Sequence, residues 1–257
     1  GSNSFAASCY IDYLLNKNYR VYGFSRSSEP HKILLKYKLN EKIKNFKFTK
    51  FNINNDFNFL KKFIKKNKID YIVDFLGQGM VAESWCNPHH WYRTNIVAKA
   101  KLYDYLSKNR KFKKYIRIST PEAVGHIKGF ISEDMKSKPS TPYGISHLAA
   151  DLTLQAYYKF NKFPFVISRF SNFHGPHQQL HRIIPKTLYC IFNKKKLPLH
   201  GGGKSVRSFI YIDDFCEAIY LSMKKGRLGE TYNFTNREYV SIAWLVKKIC
   251  SLTSTNF

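Results

Sequence analysis

Tyr143 and His147 are four residues apart, so on a helix their side chains project from one face, one turn from each other. A phenol beside a basic group can take or give a proton. Thr120, Pro121 and Glu122 directly follow a strand-like run over residues 115–119 that ends in Ser119. Open parallel sheets present ligands at such strand ends. A hydroxyl there can polarise a substrate hydroxyl, and a carboxylate can remove a proton α to a carbonyl. Singly, each residue has an ordinary structural explanation: a helix-start aromatic, a surface histidine, a loop acid. Their joint order along the chain raises the chemical reading.

The chain opens on a turn with small residues at Gly1, Ser4, Ala7 and Ser8 that runs into a helix. Backbone N–H groups in such a turn can approach a dinucleotide's pyrophosphate. The strand expected over residues 20–24 is followed by Ser25-Arg26-Ser27, where a site for an unphosphorylated ribose would carry an acid. A hydroxyl and a guanidinium suit a 2′-phosphate, so the local chemistry leans to NADP over NAD.

Elements that could position these groups alternate. Helical patterns over the opening segment and residues 55–66, 90–108 and 143–160 interleave with β-rich runs over 20–24, 71–75, 115–119 and 165–168. That alternation predicts βαβ units around a parallel sheet. Beyond residue 168 the character changes: a loop and one helix over 174–199, a strand over 206–212, and helices over 215–223 and 240–252. Two regions are therefore expected, residues 1–168 for the cofactor and 169–257 for the substrate. A glycine turn opening a helix is ordinarily fed by a strand, so a missing first strand is expected, and with it an incomplete C-terminus at Phe257.

The 257 residues are 44% hydrophobic and 16% aromatic, enough for a sizeable core and against disorder. Lys and Arg number 43 against 17 Asp and Glu, a formal net charge of +26. The basic residues are spread out: Lys61, Lys62, Lys65, Lys66 and Lys68, then Lys111, Lys113 and Lys114, then Lys194 to Lys196. The first group backs a helix whose other face holds Phe57, Leu60, Phe63 and Ile64, which reads as a solvated face and disfavours nucleic acid as the partner. Cys9, Cys86, Cys190, Cys216 and Cys250 are odd in number and widely spaced, and read as free thiols in a reducing compartment rather than metal ligands. With no apolar run of membrane-spanning length and no secretory pattern, a cytoplasmic protein without membrane contact is expected.

At these motifs the sequence resembles the extended short-chain dehydrogenase/reductases, and within them the nucleotide-sugar 4,6-dehydratases of the dTDP-glucose type and their epimerase relatives. The resemblance spans nearly the whole chain. Residues 74–85 with Asn87-Pro88 and Thr94-Asn95 resemble the segment lining the nicotinamide side. Residues 118–125 resemble the strand carrying Thr and an acidic pair, and residues 142–151 the helix with the YxxxK motif. Residues 169–176, Arg182 to Pro185 and residues 200–214 resemble the substrate half. The resemblance implies a Rossmann-type doubly wound parallel sheet with a smaller C-terminal substrate-binding region, working as a homodimer through the helices over 90–108 and 143–160. It implies bound NAD(P)+, oxidation at C4 of a nucleotide-linked hexose, loss of water across C5 and C6, and a 4-keto-6-deoxy product.

By position, the resemblance makes Tyr143 the base at the C4 hydroxyl, Thr120 its hydrogen-bonding partner and Glu122 the base at C5. Cofactor contacts fall on Gly1, Ser4, Phe5, Ala7, Ser25, Arg26, Gln78, Asn95, Ser119, Tyr143 and His147, and substrate contacts on Asn172, Arg182 and Arg207. Three departures stand out. His147 occupies the place of a lysine that bonds the nicotinamide ribose and favours the tyrosinate. With an unperturbed pKa of about 6.5 a histidine is mostly neutral at pH 7, which implies slow chemistry or a shift to high pH. Pro121 occupies the place where many of these dehydratases have an acid for the departing C6 hydroxyl, leaving Glu122 to serve both steps. Ser4 and Ala7 tighten the pyrophosphate turn. Thr120 with Glu122 favours dehydration, against a 4-epimerase or reductase as one alternative. A catalytically degenerate protein that binds ligand or RNA is the other.

Overall fold

The β-rich runs fold as short strands joined by helices, in a computed structural model that describes residues 1–125, 129 and 131–255. Phe257, on which the expected incomplete C-terminus turned, lies outside the described residues. Helix α1 (Phe5–Asn16) leads to β1 (Val21–Ser25) and, after three 3₁₀ turns, to β2 (Phe46–Lys50). Next come α2 (Phe57–Lys66), β3 (Tyr71–Asp74), α3 (Glu83–Cys86) and α4 (Pro88–Trp91). A π-helical stretch, Tyr92–Val97, joins α4 to α5 (Ala98–Lys108), followed by β4 (Lys114–Ser119) and a 3₁₀ turn, Pro121–Ala123. The second half runs through α6 (Pro142–Asn161), β5 (Phe165–Phe170), β6 (Asn172–His174), α7 (Ile183–Phe192), β7 (Val206–Arg207) and β8 (Phe209–Tyr211). It ends with α8 (Ile212–Lys225), β9 (Thr231–Phe234), β10 (Val240–Ser241) and α9 (Ile242–Leu252).

Four parallel strands in the order β3-β4-β5-β9 form the main sheet, and β1 pairs with β2 in parallel beside it. Successive residues of β4 point to opposite faces. Tyr115 packs with Leu102, Tyr103, Leu106, Phe163 and Phe165 on one side, and Ile116 with Tyr10, Phe215, Ile219 and Met223 on the other. Helices α5 and α6 therefore cover one face and α1 and α8 the other, the doubly wound arrangement expected. All six residues of β5 are buried, as a central parallel strand requires.

Two local readings differ from expectation. Strand β2 was not foreseen: only Phe46-Lys47-Phe48 alternates, exposed Lys50 breaks the pattern, and the strand pairs only with β1. The run read as one strand over 206–212 divides at buried Ser208, with β7 antiparallel to β10 and β8 parallel to β6.

Between β1 and β3 lies a cavity of about 870 Å³ lined by both strands and by the opening turn. At its C-terminal edge the turn joins the two strand ends. The backbone nitrogens of Gly1 and Ser2 donate to the carbonyl of Phe24, at 2.6 and 2.9 Å, and a side chain at Gly1 would overlap the Phe75 carbonyl.

Candidate active site

Two neighbouring groups of residues sit at the C-terminal ends of the strands. The first lines the end of the cavity nearest the opening turn. Gly1, Ser4, Ala7, Ser25, Arg26 and Gln78 line it, together with Gly77 and Thr94 from the segment expected on the nicotinamide side and with Asn52 and Asn54, which sequence reasoning missed. The signal for Asn52 and Asn54 was their place just after β2, itself unforeseen. A Cβ at Gly23 would lie 2.9 Å from that of Ser2 and 2.6 Å from the Phe46 ring, so only glycine lets the turn lie on β1. Ser4 caps α1, its Oγ accepting from Ala7 N at 3.3 Å.

The end of the cavity at the opening turn suits a dinucleotide's pyrophosphate: the N-terminus of a twelve-residue helix faces it, and Ser2 Oγ and Asn3 Oδ1 in the turn are buried without a partner. The rest of the cavity is a gap between β1 and β3 walled by apolar side chains such as Ile11, Leu14, Ile72 and Leu102, and its volume says nothing of a ligand. Arg26 is exposed at its rim. The nearest following carboxylate, Glu29, is engaged by Tyr37 and Lys38, each at 2.8 Å. Phe5 is turned away, buried and stacked on Phe173 at 6.0 Å, so only its backbone belongs to the turn.

The second group is centred on Tyr143. Thr141 caps α6, accepting from Gly144 N at 3.0 Å, and Pro142 takes the first helical position, where its missing N–H costs nothing. Tyr143 and His147 lie on one face, ring centroids 4.5 Å apart. The Thr120 hydroxyl caps the 3₁₀ turn through Glu122 N at 3.3 Å and lies close enough to the Tyr143 phenol to favour its ionised form. A Cβ on Gly144 would lie 2.5 Å from the Glu122 carbonyl, so glycine at this buried position lets the turn bearing Glu122 pack onto the start of α6. Burial raises the Tyr143 phenol above its ordinary range, opposed by the Thr120 hydroxyl and the Arg117 charge.

Asn95 is fully buried. It accepts from Gln78 N at 2.7 Å and donates to the Gln78 carbonyl and to Ser146 Oγ, holding the Gly77–Gln78 loop against α6. The π-helical stretch carries Asn95 and Thr94 together, and Asn54 donates to Thr94 Oγ1 at 3.1 Å. Ser119 is buried and donates to Asp151 at 2.6 Å. Ser84 was missed: it accepts from Tyr143 N at 3.2 Å and anchors the start of α6. Asn172 on β6, Arg182 before α7 and Arg207 on β7 are exposed, and of the three Arg182 is near enough for its charge to lower the Tyr143 phenol.

Behind Tyr143 and His147 lies a buried charge cluster that sequence reasoning also missed. Lys99 donates to Asp74 at 2.7 Å, as does the Tyr115 hydroxyl. Arg117 lies 3.8 Å from Asp74 and 3.4 Å from Asp151, and Arg169 lies 3.6 Å from Asp151. Burial, with the Arg117 charge next, pulls Lys99 down to about 8. Burial also opposes the Asp74 charge, but Lys99 and Arg117 outweigh it and hold the carboxyl below its ordinary value. The signal was available: Asp74, Arg117 and Arg169 interrupt apolar runs in strands that a doubly wound sheet buries on both faces.

The model of the NAD dependent epimerase/dehydratase family matches residues 1–234. A dTDP-D-glucose 4,6-dehydratase of Dictyostelium discoideum is 34% identical over 221 residues, 81% of this chain and 50% of the relative, so this chain spans about half that protein's length. Among solved structures, dTDP-glucose 4,6-dehydratase from Bacillus anthracis in complex with NAD superposes with a TM-score of 0.88 at 28% identity, covering 100% of this chain and 80% of the other. UDP-glucuronic acid 4-epimerase from Bacillus cereus, in complex with UDP-glucuronic acid and NAD, has a TM-score of 0.87 at 26% identity, covering 100% and 82%.

Proposed function

Since the chain belongs to the NAD dependent epimerase/dehydratase family, we propose that it acts as a nucleotide-sugar 4,6-dehydratase, converting a nucleotide-linked hexose to its 4-keto-6-deoxy derivative. The observation that carries this reading is the packing of the turn bearing Thr120 and Glu122 on Gly144, which brings the Glu122 charge within reach of Tyr143 at the start of the same helix. A 4-epimerase needs a proton acceptor at the C4 hydroxyl but no carboxylate at C5, and the 4-epimerase relative shares the fold.

Gly1, Ser4, Ala7, Ser25, Arg26 and Gln78 would hold a nicotinamide dinucleotide at the turn end of the cavity; when bound, it would supply the group that accepts hydride from C4 and, after water is lost, returns it to C6 as C5 regains a proton. The lack of a free acid after β1, with Arg26 at the rim, supports the 2′-phosphorylated form. Tyr143 takes the proton of the C4 hydroxyl while Thr120 hydrogen-bonds the same oxygen. Once C4 is a ketone, the C5 proton is acidified, and Glu122 removes it. Pro121 donates nothing, so Glu122 then passes that proton to the departing C6 hydroxyl. Asn172, Arg182 and Arg207, all in the region over residues 169–257, would hold the sugar nucleotide, with the two guanidinium groups suited to its diphosphate.

A cytoplasmic location and a homodimer complete the proposal. Among the described residues no helix is long and apolar enough to cross a membrane. Ile145 and Leu152, two turns apart on α6, are exposed at 42% and 52%, an apolar face available to a second copy. The test of the chemistry is Glu122→Gln. Rapid-quench mass spectrometry should find the 4-keto-hexose formed and no loss of water, with C5 no longer exchanging with deuterium. Loss of C4 oxidation together with water loss, in a variant that remains folded, would remove Glu122 from this role.

A further inference from the structure

The His147 ring is not free to choose its protonation state. Its Nδ1 lies 2.9 Å from Arg117 Nη2, both residues being buried. A guanidinium has only N–H groups to offer and does not deprotonate in proteins. Nδ1 must therefore accept, which places the ring proton on Nε2. That nitrogen points toward the Gly77–Gln78 loop: a Cβ on Gly77 would lie 3.8 Å from it. Gly77 lines the cavity, and Tyr143 lies beside the same ring.

We propose that Arg117 is a positioning residue that divides between two side chains what one cationic residue could do: it fixes His147 as a neutral Nε2–H donor facing the cofactor cleft, and it supplies the permanent positive charge beside Tyr143 itself. This rests on the reading of Tyr143 as the proton acceptor. The groups facing the ring are Tyr143 and Asp151 from its own helix, Arg117 from β4, Lys99 from α5 and Asp74 from β3, with Glu122 from the 3₁₀ turn next to Tyr143. Three buried cations, Lys99, Arg117 and Arg169, stand against two carboxylates, Asp74 and Asp151, so the cluster behind Tyr143 keeps a net positive charge. Two consequences agree with the geometry. Burial, then Arg117, then Lys99, pushes His147 well below its ordinary range, so protonating it at neutral pH is disfavoured. Arg117 also lowers the Tyr143 phenol, against the burial that raises it. The histidine in place of a lysine is then no defect, because a lysine there would put an ammonium against the guanidinium.

The first test needs neither turnover nor a variant. Nitrogen-15 NMR of the folded protein without substrate should show His147 with Nε2 protonated and Nδ1 not, unchanged from about pH 8 to about pH 5.5, where a free histidine titrates. A His147 ring that is protonated on Nδ1, or that becomes doubly protonated near pH 6.5, overturns the proposal. The second test is His147→Lys, which should lower turnover at pH 7 by about tenfold or more through repulsion from Arg117. A severalfold rise would overturn the proposal, since it would mean that charge was missing. Third, Arg117→Met should raise the pH at which His147 takes up a proton, burial still holding it below the ordinary value, and shift the alkaline rise of kcat upward by about one pH unit, with Arg117→Lys restoring part of the profile. An unchanged profile in folded Arg117→Met refutes the role. If Arg117→Met does not fold, Arg117→Lys and the ring spectrum decide. If no variant turns over any nucleotide sugar, the dehydratase reading fails, while the ring spectrum still decides the Arg117–His147 arrangement.

Discussion

Gly144→Ala perturbs the packing that carries the proposed chemistry while adding a single methyl group. The new Cβ would start 2.5 Å from the Glu122 carbonyl oxygen and 3.1 Å from the Pro139 Cβ. Ordinary van der Waals separation is about 3.5 Å, so the turn bearing Glu122 must move away from α6 by roughly 1 Å. Two effects on stability oppose each other. Alanine in a helix gains about 1 kcal/mol over glycine, and overpacking a filled site costs about 1–3 kcal/mol. The net change should be a loss of no more than about 2 kcal/mol, leaving the protein folded. Activity is far more sensitive, because a displacement of about 1 Å at a catalytic group costs about 100-fold. That loss should fall on water elimination, the step assigned to Glu122, more than on C4 oxidation, which depends on Tyr143. The assay is thermal unfolding alongside single-turnover mass spectrometry that counts the 4-keto-hexose and the dehydrated product separately. Elimination within twofold of the parent protein, at equal fold stability, would refute the argument that Gly144 places Glu122.

The buried His147 makes stability depend on pH. The unfolded chain takes up a proton at the ordinary value of 6.5, which the folded chain refuses until well below it. This contribution is therefore complete above pH 6.5 and is lost on acidification, at up to about 1.4 kcal/mol per pH unit. His147→Gln should flatten that slope in denaturant titrations between pH 7 and 5, and an identical slope in the variant would contradict it. Lys99→Met removes the partner of Asp74 in a pair exposed by 0% and 4%. It should cost about 3–5 kcal/mol, and a loss under about 1 kcal/mol in urea unfolding would show that Tyr115 and Arg117 suffice for Asp74. Arg26→Asp should weaken NADP binding by about tenfold or more, roughly 1.4 kcal/mol, while leaving NAD within twofold by calorimetry. Equal weakening of both would remove Arg26 from the 2′-phosphate.

The doubly wound sheet was legible because periodicity changes sharply along the chain: four-residue spacing at Tyr143 and His147, apolar runs over 115–119 and 165–168. The close relation of Tyr143, Thr120 and Glu122 followed from their order at a strand end. What escaped was tertiary. Strand β2 is too short, and its alternation too soon broken, to stand out, so Asn52 and Asn54 went unnoticed behind it. Asn95 and Ser119 carry motif positions, yet their side chains bond inward to Gln78, Ser146 and Asp151, a distinction spacing alone does not make. Arg117 sat in plain view within residues 115–119, but its importance lies in touching His147 thirty positions later, across the packing of β4 against α6.

The central claim is water loss from a nucleotide hexose, and its most direct test is mass spectrometry of the protein incubated with NAD+ or NADP+ and a panel of such sugars. The account predicts that one member yields a product lighter by one water and carrying a 4-keto group. Unchanged mass across the panel, with the dinucleotide shown to bind, would contradict it, and an epimer detected by NMR in the same mixtures would place the chain among the 4-epimerases.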